Sequence, residues 1–306
     1  MLHRIVDMMQ YKKLGKSDLT ISRIGYGCMS LHPEQKDFLS LIDRALDLGI
    51  NYFDTADLYD KGGNELMLGK AFKGRRDKVI IASKAGNQWR PDGSGWDWNP
   101  RKEYILKCAE ESLKRLQTDY LDLFMLHGGT IQDDIMESVS AFEQLLKEGK
   151  IRYYGLSSIR PNVIKVHTAY GKVVSLMTQF SLLDRRPEEA TLNLMQENNI
   201  GVLVRGSVAS GLLVDKPARD YLGHTSAQVA EAALAVKAVS QSGRTPAQTA
   251  IQYVLQPPAV TSAVVGMRTP QQLEEAVGAV SAPQMTPEEI KYLQTHIPAR
   301  KYESHR

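Results

Sequence analysis

The sequence predicts an α/β protein, a (β/α)8 TIM barrel with an N-terminal β-hairpin. Three observations carry this. Strand-like and helix-like segments alternate through eight units, which argues for an all-parallel sheet joined by right-handed crossovers. Several strands are continuous apolar runs, as expected when both faces of a sheet are covered. The rival architecture, an open doubly wound sheet, would normally carry a G-x-G-x-x-G turn after its first strand. No such turn follows the first strand here.

Residues 11–21, YKKLGKSDLTI, read as two short strands flanking a Gly-Lys-Ser-Asp turn, a hairpin expected to close the barrel bottom. Residues 23–29 read as a buried strand with glycines near its end. Residues 33–48 follow with Phe38, Leu41, Ile42, Ala45 and Leu48 at helical spacing, and Gly49 supplies a C-cap. The rhythm then repeats. Strand 51–54 precedes helix 65–72, strand 78–84 helix 101–116, and strand 120–127 helix 135–147. Strand 152–157 precedes helix 162–170, and strand 173–179 helix 187–197. Strand 200–205 is followed by two helical patterns, 227–240 and 246–255, and strand 263–265 by helix 270–280. Three stretches fall outside the units: a Gly/Pro loop at 87–100 that holds all three tryptophans, a long segment at 212–226, and a polar C-terminal tail at 283–306 with one short helix. With no interdomain linker, residues 1–306 are expected to form one barrel domain.

Composition narrows the function classes. In 306 residues, 42% are hydrophobic and 24% charged, ordinary values for a soluble globular protein. A net charge of +3 without a long Lys/Arg run argues against a nucleic-acid partner. Cys28 and Cys108 lie far apart and lack metal-ligand spacing, which suits two lone thiols in a reducing compartment. Residues 1–9 lack the apolar core of a signal peptide. No stretch approaches the roughly 20 apolar residues of a membrane helix. A cytoplasmic location without membrane contact is therefore expected. The sequence carries no signal for an oligomeric state.

In this architecture chemistry sits at the C-terminal ends of the strands. Asp54, Lys84, His127, Ser157, Gln179 and Arg205 fall at successive expected strand ends, with Tyr59 in the loop after Asp54. Each has an ordinary explanation alone: a turn aspartate, a solvated lysine, a loop tyrosine. A row of them at adjacent strand ends points to a site. An ammonium beside a phenol stabilises the phenolate and lowers its pKa from about 10. A carboxylate holds the ammonium charged. Asp54, Lys84 and Tyr59 would thus form a proton donor near neutral pH, with His127 holding a substrate oxygen in line. Neither a nucleophile with an adjacent base nor a plausible metal-ligand set is evident. The tryptophan loop has two readings. Either it buries its own aromatics to stay ordered, or one of Trp89, Trp96 and Trp98 walls a substrate pocket, Trp89 being the first candidate.

These residues resemble the aldo-keto reductases, and are most similar to bacterial members that also resemble potassium-channel β subunits. The resemblance spans residues 11–280. It rests on Lys13-Leu14-Gly15, Phe53-Asp54-Thr55-Ala56-Asp57-Leu58-Tyr59, Ser83-Lys84, residues 121–127, Gly149-Lys150-Ile151-Arg152, Gln179-Phe180-Ser181-Leu182-Leu183 and residues 265–270. It implies a metal-independent reduction of a small carbonyl substrate by NADPH (yielding NADP+), with Asp54, Tyr59, Lys84 and His127 as catalytic residues and Tyr59 as general acid. It further implies that Ser157, Ser158 and Gln179 hold the nicotinamide carboxamide, and that Cys28 and Met29 lie near the ribose or nicotinamide. Gly206, Ser207 and Gly211 would approach the pyrophosphate, and Lys216 cover it. Gly266, Arg268, Gln272 and Glu275 would meet the adenosine end, Arg268 taking a 2′-phosphate through its guanidinium fork. Ser158 and Ala276 replace asparagines frequent in the family, and Arg205 replaces an aromatic that stacks on the nicotinamide. The resemblance also leaves an alternative function, an NADP(H)-holding redox sensor or regulatory subunit with little turnover.

Overall fold

The computed structural model describes residues 9–32, 34–240 and 243–306. Residues 1–8, within the stretch read for a signal peptide, and Pro33, the expected start of the first helix, lie outside these.

The hairpin is β1 (Tyr11–Lys13) with β2 (Thr20–Ser22), antiparallel. Then come β3 (Ile24–Gly27), α1 (Phe38–Asp47), β4 (Tyr52–Asp54), α2 (Gly63–Ala71) and β5 (Ile80–Ala85). A second hairpin, β6 (Asn87–Trp89) with β7 (Trp96–Trp98), precedes α3 (Lys102–Leu116). The chain continues through β8 (Leu121–His127), α4 (Ile135–Lys147), β9 (Ile151–Ser157), α5 (Pro161–Tyr170), β10 (Ser175–Gln179) and α6 (Thr191–Glu197). It ends with β11 (Gly201–Arg205), α7 (Ser226–Val239), α8 (Pro246–Leu255), β12 (Val260–Val265), α9 (Pro270–Gly278) and α10 (Pro287–His296). Eight parallel strands close a barrel in the order β10-β11-β12-β3-β4-β5-β8-β9, and β9 pairs back onto β10.

Two apolar layers follow from the strand period of two. Inward positions Tyr52, Ala82, Leu123, Met125, Met177 and Leu203 cluster with Leu14, Leu19 and Ile21 of the first hairpin. Outward positions such as Phe53, Ile81, Phe124 and Val204 pack under the helices. The first hairpin abuts the N-terminal ends of β10 and β11. Gly15 has φ +53°, and a Cβ there would lie 2.6 Å from the Asn199 and Val174 carbonyls and the Gly201 amide. That end of the barrel is filled, and the cleft described below opens at the opposite end.

Several expected boundaries shift for local reasons. The first strand stops at Gly27, and Cys28–Ser30 form a 3-10 turn. The Asn64 amide donates to the Cys28 and Leu31 carbonyls at 2.7 and 3.1 Å, giving them side-chain rather than ladder partners. The first helix is shorter than the expected 33–48. The 87–100 segment is a hairpin, not a loop. Its Pro91-Asp92-Gly93 turn lets Trp89 face Trp96 across the ladder, a turn signal that the tryptophan-rich composition obscured. Among the described residues no helix is long and apolar enough to cross a membrane.

Candidate active site

The site is built where β4, β5 and β8 end. Parallel pairing sets Asp54 of β4 beside Ala82 of β5, and Lys84 of β5 beside Met125 of β8. The Lys84 ammonium is fully buried and donates to Asp54 Oδ1 at 2.6 Å, the Thr55 carbonyl at 2.7 Å and the Tyr59 hydroxyl at 3.5 Å. The Tyr59 ring stands edge-on to His127, with centroids 6.1 Å apart and planes at 85°.

Tyr59 opens a 3-10 turn, Tyr59–Gly62, in which Asp60 and Lys61 take left-handed φ values of 49° and 53°. Such a turn costs energy and must be held by its surroundings. Glu65 on α2, fully buried, accepts from Ser83 Oγ at 2.5 Å and from Arg115 Nε at 2.7 Å. Arg115 in turn lies against Gly62, where a Cβ would sit 2.6 Å from its side chain. Glu65 thus ties the strand that carries Lys84 to the turn that carries Tyr59. Behind the loop, Cys108 Sγ donates to Asp57 Oδ2 at 3.3 Å, while Asp57 Oδ1 is buried without a partner among the described residues.

Burial dominates the electrostatics. It raises the Tyr59 phenol above its ordinary value, and the Lys84 ammonium pulls the other way without prevailing. The expectation that Lys84 lowers this phenol is therefore overturned as a net direction, because desolvation of a phenolate in this pocket outweighs one ammonium at 3.5 Å. Burial alone would lower Lys84, but Asp54 and Tyr59 together push it up, so it stays charged. His127 falls to about 3 through burial, reinforced by the positive charges of Lys84 and Arg205. Its imidazole is neutral at physiological pH, and its buried Nδ1 has no partner among the described residues.

A cleft of about 690 Å³ opens over these groups. Asp54, Tyr59, His127, Met29, Ser157, Ser158, Gln179, Arg205, Gly206 and Gly266 all line it. Lys84 lies behind Asp54 and Tyr59. Cys28 is buried beneath the cleft, its thiol 3.6 Å from the Tyr26 carbonyl. Ser207 is likewise buried. Gly211 and Lys216 sit together beyond the cleft wall, the lysine stem packed on the glycine. Arg268 and Gln272 are exposed at the start of α9, the Arg268 amide donating to Gln272 Oε1 at 2.9 Å, and Glu275 is half-buried one turn further. The cleft does not gather these five into its lining.

Trp89 is also outside the lining. Its indole donates to the Leu58 carbonyl at 3.3 Å and lies under the Lys61 ammonium. Trp96 and Trp98 are the tryptophans that face the cleft. Trp98 is fixed there: its Nε1 lies 3.0 Å from both oxygens of Asp133, and a Cβ on Gly86 or Gly128 would come within 2.6 or 2.9 Å of its ring. Sequence reasoning also missed Asn87, Arg160 and Tyr221 as lining residues. Tyr221 comes from the long segment after β11, and its hydroxyl meets Gln179 Nε2 at 3.4 Å, while Arg205 Nη1 donates to Gln179 Oε1 at 2.8 Å. No periodicity marks such a residue, because only the folded path of the segment brings it back. Among the described residues no three His, Cys, Asp or Glu side chains group so as to hold a metal ion.

An Asp–Lys–Tyr chain and a histidine thus meet at neighbouring strand ends of a closed barrel. The model of the aldo/keto reductase family matches residues 23–298. The chain is 48% identical over 307 residues to the uncharacterized oxidoreductase YqkF of Bacillus subtilis, covering 97% of this chain and 100% of that protein. It is 33% identical over 212 residues to the aldo-keto reductase yakc [NADP(+)] of Schizosaccharomyces pombe, covering 66% of this chain and 62% of that protein. Among solved structures, the holo form of aldo-keto reductase AKR11C1 from Bacillus halodurans matches with a TM-score of 0.91 at 45% identity, covering 97% of this chain and 99% of that chain. The chain belongs to the aldo/keto reductase family and is an oxidoreductase.

Proposed function

We propose that the protein reduces an aldehyde or small ketone to the alcohol with NADPH, Tyr59 acting as the proton donor. The observation that carries this reading is the buried chain Asp54–Lys84–Tyr59 facing the same cleft as a neutral His127. NADPH, when bound, supplies the hydride taken up by the carbonyl carbon. As charge develops on the carbonyl oxygen, the Tyr59 hydroxyl delivers its proton there. The phenolate left behind is stabilised by the Lys84 ammonium, which Asp54 and the Thr55 carbonyl hold in place. A neutral imidazole offers one N–H to the carbonyl oxygen without adding a second cation, and this orients the oxygen toward Tyr59. Charge on Tyr59 is favoured as the oxygen takes the proton, which is where Lys84 acts most strongly.

The other wall suits the cofactor chemically. Ser157, Ser158 and Gln179 present hydroxyl and amide groups. Gly206 at φ +77° and Gly266 present bare backbone, and Asp54, already matched by Lys84, is the sole carboxylate in the lining among the described residues. The NADP(+) in the name of the Schizosaccharomyces pombe relative supports the choice of cofactor. Arg268, exposed beyond this wall just before α9, would take the 2′-phosphate, with Gln272 and Glu275 of α9 toward the adenosine end. Gly211 and Lys216 would reach the pyrophosphate by movement of their segment.

Replacing Tyr59 by Phe tests the assignment. NADPH affinity, read by fluorescence titration, should stay at the wild-type value, while carbonyl reduction falls by about 10²–10⁴. Wild-type turnover in the folded variant would overturn the role of Tyr59. A cofactor-holding regulatory subunit predicts instead that the wild-type protein itself completes few turnovers across a panel of aldehydes and ketones.

A further inference from the structure

The cleft holds a cation that proton donation does not use. Arg160 follows β9 and lines the cleft beside Trp96, Trp98, Thr130 and Ile159. Its guanidinium donates to the Gly129 carbonyl, so it leans over the loop that follows His127. That loop follows β8, three and four strands around the barrel from β11 and β12, after whose glycines a cofactor's phosphates are expected. Among the described residues it forms no ion pair within 4.0 Å. The carboxylates of the cleft and of this loop have other hydrogen-bond partners. Asp133, in the same loop as Gly129, accepts from Trp98 Nε1, from the Thr130 amide at 2.7 Å and from Thr130 Oγ1 at 2.7 Å. Asp54 is taken by Lys84. A guanidinium has five N–H donors in a planar fork, and one carbonyl leaves most of that fork for a ligand.

Resting on the reduction proposed above, we propose that Arg160 selects carbonyl substrates bearing an oxyanion, a carboxylate or a phosphate, remote from the reacting oxygen. The reacting carbonyl meets Tyr59 and His127. The intervening carbons lie along Trp96 and Trp98, and the anion meets the Arg160 fork. Arg160 is a specificity-determining residue in this scheme and takes no part in the proton transfer.

Paired substrates test it: butyraldehyde against succinic semialdehyde, benzaldehyde against 4-carboxybenzaldehyde, and glyceraldehyde against glyceraldehyde 3-phosphate, each with NADPH. The expected result is a charged-to-neutral ratio of kcat/KM of about tenfold or more in at least one pair. The carboxylate and phosphate pairs show which oxyanion is read. In Arg160→Gln that ratio should collapse toward one, and in Arg160→Lys it should be intermediate, because a point charge lacks the fork. No preference in the wild-type protein overturns the proposal, and so does a ratio that survives Arg160→Gln. If Arg160 merely tethers the Gly129 loop, both members of each pair fall together and the ratio stays. Failure of the wild-type protein to reduce any of the six compounds is a separate outcome, which removes the reduction and this inference with it.

Discussion

Replacing Lys84 by Met isolates the contribution of the buried ammonium. Its nitrogen lies 3.5 Å from the Tyr59 oxygen and 2.6 Å from Asp54. At an effective dielectric of about 20, unit charges about 3.5 Å apart interact by roughly 5 kcal/mol. That is the stabilisation a Tyr59 phenolate loses in the variant. Its loss raises further a phenol that burial has already raised. If proton donation limits turnover, the rate falls by about 10³. The single variant also strands Asp54, at a cost to stability of about 3–5 kcal/mol, and leaves a carboxylate that repels the phenolate further. The Asp54→Asn/Lys84→Met double variant removes both complications. The assay is single-turnover loss of NADPH absorbance, with cofactor affinity measured separately and folding checked by circular dichroism. The reasoning fails if either variant, folded and binding NADPH normally, reacts within tenfold of the wild-type rate.

Two further predictions concern the scaffold behind Tyr59. Burial, with the Glu65 carboxylate adding to it, raises Asp57 to about 7. The unfolded chain releases this proton near pH 4 and the native state near 7, so the unfolded state holds fewer protons in that window and stability falls as pH rises through it. Asp57→Asn should gain on the wild-type protein across the same window, reaching on the order of 4 kcal/mol at pH 8 by urea unfolding, and a pH-independent difference would contradict burial as the cause. Glu65→Gln keeps an acceptor for Ser83 Oγ but removes the 2.7 Å charge partner of Arg115, leaving it the longer pairing with Glu111 at 3.7 Å. Stability should drop by about 2–4 kcal/mol and kcat should fall while NADPH affinity holds, since Arg115 would no longer brace Gly62 beneath the Tyr59 turn. Unchanged kcat would show that the turn holds itself.

The sequence by itself determined the barrel and the neighbourhood of its chemistry. Strands buried on both faces must be apolar throughout, as Leu121 to Leu126 mostly are, and the helices between them must carry a stripe at 3.6-residue spacing. Those demands are local, so they survive in one dimension. Polar residues at strand ends were legible for the same reason: Asp54, Lys84, His127 and Gln179 each interrupt or close an apolar run. The 87–100 hairpin was missed because its ladder pairs polar and aromatic residues at the surface, where no burial imposes an alternation. Other features belonged to the tertiary structure alone. Closing the barrel sets Lys84 against Asp54 across 30 positions of sequence, and it surrounds Tyr59 with enough protein that desolvation outweighs the ammonium even though the ring faces the cleft. It also chooses Trp96 and Trp98 over Trp89 for the cleft, brings Tyr221 back to Gln179, and leaves Arg160 facing the cleft while Asp133 serves Trp98. Spacing along the chain carries neither burial nor the balance of charges that meet across a cleft, so these were decided when the strands closed.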